Sequence, residues 1–231
     1  MRIRHETYAS VFNTVYVGLM TNLLVIVGFA PALAVVLLTD PGRTWPLLAL
    51  LAPVCAPALV AVFAVLRAFA QDGSTAVFTT FGRAWWAAWR RAAALGALAS
   101  AALVVLGVDL VWAARQPAGA LAMPVLVVLA ALVVATCVLV LVALAERPTV
   151  RLRDAVKVCG YLAVRRWYLT LATLVVLAVA ELLLALSPLA ALGIASAPVL
   201  YLVWANSRFT LRPALDDETT TARGVLPPAR A

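Results

Sequence analysis

The sequence predicts an all-α polytopic membrane protein: a six-helix transmembrane bundle with two cytoplasmic amphipathic helices. Three observations predict it. Apolar residues (AVILMFWYC) make up 65% of the 231 residues and charged residues only 12%, with a mean hydropathy of +1.04. Soluble domains carry about 25% charged residues, and one soluble core of this size could not hide the excess apolar surface. The apolar residues fall in stretches of roughly 20, the length that crosses a bilayer core. Finally, the basic residues flank those stretches. The net charge of +8 and pI near 10.3 therefore point to membrane orientation and away from nucleic acid.

Six spans are expected. The first covers about 11–38, with Pro31 late in it, and the second about 46–66, with Pro53 and Pro57 inside. The third and fourth cover about 92–114 and 121–145. The fifth covers about 167–186, and the sixth about 189–205 after a Ser187-Pro188 break. Arg2 and Arg4 followed by an apolar run resemble a secretion signal, and Ala32-Leu33-Ala34 resembles a cleavage site. The run from Val11 to Leu38 exceeds a signal core of about 7–15 residues, so a retained span is expected.

Charge sets the topology. With six spans, 16 of the 18 Lys and Arg lie on one side, and only Arg43 and Arg115 lie on the other. Five spans would divide them 12 to 6. The positive-inside rule favours six, with both termini cytoplasmic. Tryptophan agrees, being favoured at headgroup level. Trp45 and Trp112 fall at the outer boundary, and Trp85, Trp86, Trp89, Trp167 and Trp204 at or near the inner one. The transmembrane helical domain is expected over 1–212. Residues 213–231, with Asp216-Asp217-Glu218 and Pro227-Pro228, are expected to form a disordered cytoplasmic tail.

Two cytoplasmic segments are too charged to span. In the first, Asp72-Gly73-Ser74-Thr75 reads as a turn and helix N-cap. Phe78, Phe81, Trp85 and Trp89 then make one narrow stripe, with Arg83, Arg90 and Arg91 opposite. In the second, Thr149 can cap a helix whose stripe is Leu152, Val156, Cys159 and Ala163, with Arg153, Asp154 and Lys157 facing away. Each segment is expected to lie along the inner headgroup layer or to dock under the bundle. Each ends in a double arginine, Arg90-Arg91 or Arg165-Arg166. That parallel is either an internal repeat or the general enrichment of arginine beside membranes.

A carboxylate at mid-bilayer costs about 2.5–3.5 kcal/mol on insertion scales, so Asp109 and Glu181 require explanation. Either they pair across a polar outward-facing cleft, or Asp109 reaches the interface while Glu181 is protonated or bonded to a neighbouring helix. Asn22, at the middle of the first span, is expected to hydrogen-bond across helices. Gly96 and Ser100 form a small-residue face suited to close packing. The cysteines Cys55, Cys137 and Cys159 form no CxxC pair, and His5 is the sole histidine. No G-x-G-x-x-G or P-loop occurs. No catalytic, metal or cofactor site is expected, and an enzyme is disfavoured.

Asn22-Leu23-Leu24 followed by Pro31 resembles the N-L-L…P signature of the bacterial YesL-like integral membrane proteins. Pro57 through Phe63 to Arg67, then Asp72-Gly73 and Phe78/Phe81, are similar to that family's second span and following helix. Arg151-Leu152-Arg153-Asp154-Ala155 through Arg165-Arg166-Trp167 resembles its second cytoplasmic helix, and Tyr201 through Asn206 its ending. The likeness extends over about 8–213, with Val25 standing where the family often has an aromatic residue. The resemblance implies a bacterial cytoplasmic membrane location and no catalytic residues, because the family has no assigned function. Its members often occur beside carbohydrate ABC transporter permeases. It thus implies an accessory or regulatory component acting with such a transporter and touching its permease subunits. Docking residues would be Arg83, Arg90, Arg151 and Lys157. The alternative is an autonomous small-molecule transporter using Asn22, Asp109 and Glu181. The oligomeric state is not specified.

The six-span topology predicts that a reporter active only in the cytoplasm is active when fused after Ser207 and silent after Ser187. The opposite pattern would exclude it.

Overall fold

The computed structural model describes the backbone of residues 2–187 and 190–224, with side chains outside 2–10, 41–43, 117–118 and 213–224. No strand occurs among the described residues. The helices are α1 (Arg2–Leu38), α2 (Pro41–Asp72), α3 (Val77–Ala114), α4 (Met123–Glu146), α5 (Leu152–Arg165), α6 (Trp167–Leu186) and α7 (Ser196–Gly224). A 3₁₀ turn (Pro117–Leu121) precedes α4, and a π-helical turn (Ala191–Ala195) leads into α7. This is an all-α polytopic membrane protein. Five helical stretches are long and apolar enough to cross a bilayer: Val11–Leu38, Thr44–Asp72, Val77–Ala114, Gly119–Glu146 and Trp167–Leu186.

The expected sixth span is divided between the π-helical turn and the start of α7. It runs back along α6. Arg166, at the head of α6, donates from Nη1 to the Phe209 carbonyl at 3.0 Å. Asn206 Nδ2 donates to Leu169 O at 2.8 Å and to Thr173 Oγ1 at 2.7 Å. By residue 209 the chain has therefore returned to the end of the bundle from which α6 departed. That end also carries Arg67, Arg83, Arg90, Arg91 and Arg151 and is called the basic end below. Pro188 lies outside the described residues. The backbone of α7 continues past the expected domain boundary at 213 to Gly224, and 225–231 lie outside the described residues.

Helix α2 is the axis of the bundle, with α1, α3, α4 and α7 packed against it. Ala58, Ala61 and Val62 are completely buried along it, and Phe63 nearly so. Helix α6 is peripheral, with Thr173 its only buried residue among those described. The most extensive seam joins α2 to α3. A Cβ on Gly96 would lie 2.9 Å from Pro53 Cα and 3.0 Å from Ala56 Cβ, so only glycine allows this approach. Pro53 has no N–H for the carbonyl of Ala49, its α-helical acceptor. Ser100 fills that place, donating its hydroxyl to Ala49 O at 2.6 Å. The expected Gly96/Ser100 face is thus a contact face, and a proline shapes what it meets.

The first segment expected on the cytoplasmic side is not a separate helix, contrary to expectation. It is the leading part of α3, which runs 38 residues without interruption. At 1.5 Å per residue that is about 57 Å, roughly twice a bilayer core. Nothing in Arg90-Arg91-Ala92-Ala93-Ala94 breaks a helix, and alanine is the best helix former. The stripe also differs. Phe81, Trp85 and Trp89 are half-buried, but Phe78 points outward, 54% exposed, while Val77, Ala88 and Ala92 turn inward. Small residues let α3 approach α2 and α4, which bulky rings would prevent. Trp85 instead meets Trp89 edge-on at 4.7 Å.

The expected caps are also different. Gly73 terminates α2 with φ +62°, a left-handed conformation suited to glycine. Its N–H bonds Phe69 O at 3.0 Å. Ala76 is the N-cap of α3 without a side-chain bond, and Ser74 Oγ accepts only the Ala76 N–H at 3.4 Å. Arg151, not Thr149, caps α5.

Helix α5 is the amphipathic helix that was expected. Cys159 and Ala163 are buried in the main core, with Leu152 and Val156 against it. It docks beneath the bundle on α4, α6 and α7. Burial pushes the Cys159 thiol up to about 12. Since the thiolate is the reactive form, Cys159 should resist maleimide from pH 7 to pH 9 in the folded protein and react after denaturation. Rapid labelling of the native protein at pH 7 would show that α5 is not docked.

Candidate functional site

Asn22 is 5% exposed, and both ends of its amide are engaged. Nδ2 donates to Gly193 O at 2.6 Å, and Oδ1 accepts the Ala197 N–H at 2.7 Å. In an α-helix that N–H would bond that same carbonyl, four residues back. The Asn22 amide from α1 therefore stands in for one rung of the ladder, where the chain widens into the π-helical turn. Ser196 Oγ donates to Ala191 O at 2.9 Å in the same turn. Asn22 is thus glue between helices, as expected. Beside it, the Thr21 hydroxyl is buried without a hydrogen-bond partner, as is that of Ser207.

The two carboxylates are not brought together. Asp109 is exposed on α3 and Glu181 is exposed on α6, helices that share no substantial interface. No group of three His, Cys, Asp or Glu assembles among the described residues. A cleft lies between α2, α3 and α4. It holds about 860 Å³ and is almost wholly apolar, walled by Leu59, Leu103, Val104, Val134 and Leu141, with Ser100 as a polar exception.

The basic end is where charge collects. Arg83, Arg90, Arg151 and Lys157, the expected docking residues, are all exposed there. Other cations are tied down. Arg208 lies over the Trp204 ring at 5.4 Å, and Arg212 over Phe209 at 5.2 Å. Trp204 is buried, and its indole N–H donates to Glu146 Oε1 at 3.1 Å.

Two residues outside the expected site organise this end. Arg67 Nη1 donates to the carbonyls of Ala145 at 2.8 Å and Glu146 at 2.7 Å, where α4 ends. Arg91 Nη1 donates to the carbonyls of Pro148 and Val150 in the turn that follows. Cations suit a helix C-terminus, whose last carbonyls lack partners. A signal was available: Arg67 sits one turn inside the polar end of an otherwise apolar helix, which calls for a partner.

Residues 35–110 match the family described as "Protein of unknown function, DUF624". The matched stretch runs from the end of α1 through α2 and most of α3. It contains the Pro53–Gly96 seam, Arg67, Arg83 and Arg91. It is shorter than the expected likeness over 8–213. No curated protein and no solved structure matches the chain.

Replacing Asn22 with Leu leaves a carbonyl and an N–H in apolar surroundings, at about 1–3 kcal/mol for each unsatisfied group. Asn22→Leu should therefore lower the thermal unfolding midpoint in detergent clearly more than Asn13→Leu, since Asn13 is only half-buried. Equal midpoints would show that the amide does not hold α1 to the π-helical turn.

Proposed function

We propose that this chain is a multi-pass protein of the bacterial cytoplasmic membrane, with both termini cytoplasmic. In this reading it serves as an accessory or regulatory component of a carbohydrate ABC transporter. One contrast carries the reading. The buried Asn22 amide is engaged at both ends in holding helices together, and the cleft between α2, α3 and α4 is apolar, so these two features offer little to a hydroxyl-rich sugar. The basic end presents Arg83, Arg90, Arg151 and Lys157 outward. Permease subunits and their ATPases meet on the cytoplasmic side, and a cationic, helical face suits contact with an acidic patch there. The YesL-like resemblance supplies the class of partner, and the family match over 35–110 is compatible with it.

An autonomous small-molecule transporter is the second reading. The π-helical turn facing Asn22 favours it, because interrupted helices line the sites of many transporters. Uptake by reconstituted vesicles separates the two. Purified protein alone should carry no sugar. In cells, loss of the gene should lower uptake of one sugar only while the corresponding permease is present. Solute flux through the purified protein alone would replace the accessory reading with the transporter.

A further inference from the structure

At the basic end α2, α3 and the close of α4 enclose a second cavity, of about 230 Å³. Three arginines line it: Arg67 from α2, and Arg83 and Arg91 from α3. Thr80 adds a hydroxyl, and its described lining holds no carboxylate. Residues 83 and 91 are eight apart, just over two helical turns, so they lie on one side of α3. Ala84, Ala87 and Ala88 between them keep the wall low and leave the space open.

The charge in this cavity is only partly compensated, by backbone carbonyls. The α4 C-terminus offers about half a negative charge to Arg67. Arg91 bonds only to backbone carbonyls, through Nη1. Arg83 has no hydrogen-bond or ion-pair partner among the described residues. Three guanidinium groups in one recess repel one another unless an anion sits among them. Arginine's planar fork of donors matches phosphate oxygens in particular. The volume lies below the roughly 300–1,000 Å³ of sites that enclose a drug-sized ligand. It suits a single headgroup or a small anion. Trp85, Trp86 and Trp89 occupy the same turns of α3, and indoles favour the headgroup level.

We propose that the Arg67–Arg83–Arg91 cavity binds a phosphate group, borne either by an anionic phospholipid headgroup or by a soluble phosphate. The bound anion would join α2 and α3 to the end of α4. The proposal stands independently of any transporter partner.

Titration calorimetry on the purified full chain tests it, with three probes: short-chain phosphatidylglycerol, short-chain phosphatidylcholine and inorganic phosphate. Arg83→Gln is the informative variant, because Arg83 holds no other part of the protein in place. Loss of one charged hydrogen-bonding group should weaken binding about tenfold or more. Arg83→Lys should recover part of the loss, and Arg90→Gln and Lys157→Gln should bind as the native chain does. Saturable phosphatidylglycerol binding with this pattern, and weaker phosphatidylcholine binding, identifies a lipid headgroup. The same pattern with inorganic phosphate alone identifies a soluble ligand. Absence of saturable binding by either anion overturns the proposal. So does equal binding by native protein and Arg83→Gln, or equal weakening in all three Gln variants.

Discussion

The amide of Asn22 does the work of a backbone hydrogen bond. It accepts from Ala197 N–H and donates to Gly193 O, two groups that an uninterrupted α-helix would have joined to each other. Inside a bilayer no water can satisfy a freed backbone group, so every such group must find a partner within the protein. The π-helical turn at Ala191–Ala195 can exist at this position because α1 brings a side chain able to act as donor and acceptor together. Leucine in its place would leave both backbone groups exposed to an apolar medium. The angle at which the chain enters α7 depends on this contact, as does the return of α7 along α6.

The same constraint accounts for the other cross-helix bonds. Pro53 leaves the Ala49 carbonyl without its helical donor, and Ser100 supplies one. Pro213 has no N–H for the Phe209 carbonyl, and Arg166 donates to it. The final carbonyls of α4 receive Arg67, and those of the following turn receive Arg91. At these four places, where a helix is interrupted or ends, a side chain from elsewhere completes the backbone. These side chains reach across only because small residues bring the helices close. Gly28 approaches Ala58 so nearly that a Cβ there would lie 2.6 Å from the alanine methyl, and a Cβ on Gly96 would lie 2.9 Å from Pro53 Cα.

Polar side chains in the interior are thus largely structural, and charge lies elsewhere. Asn22, Ser100 and Thr173 hold helices together. Charge that is not tied to the fold gathers at the basic end, on the leading part of α3 and on α5. Because α3 is continuous, Arg83 and Arg90 stand on a rigid extension of a membrane helix. A ligand or partner held there would act directly on the α2–α3 seam, the most extensive helix contact among the described residues.

The sequence by itself determined the membrane class, five of the spans and the amphipathic face of α5. These depend on local composition and period, which a one-dimensional reading captures. The fifth expected span coincides with α6, and the stripe of α5 is buried at Cys159 and Ala163 as its spacing requires. The same reading placed a helix boundary before residue 92 where none exists, because an interface alters polarity without breaking a helix. The tertiary structure alone decided which polar groups meet. Asn22 and Gly193 are 171 positions apart, and Arg67 and Ala145 are 78 apart. It also separated Asp109 from Glu181, which the sequence left open as either a pair or two independent carboxylates. Spacing along a chain reports which residues share a helix face. Which faces touch depends on how closely glycines and alanines let the helices pack and on which backbone groups then lack a partner.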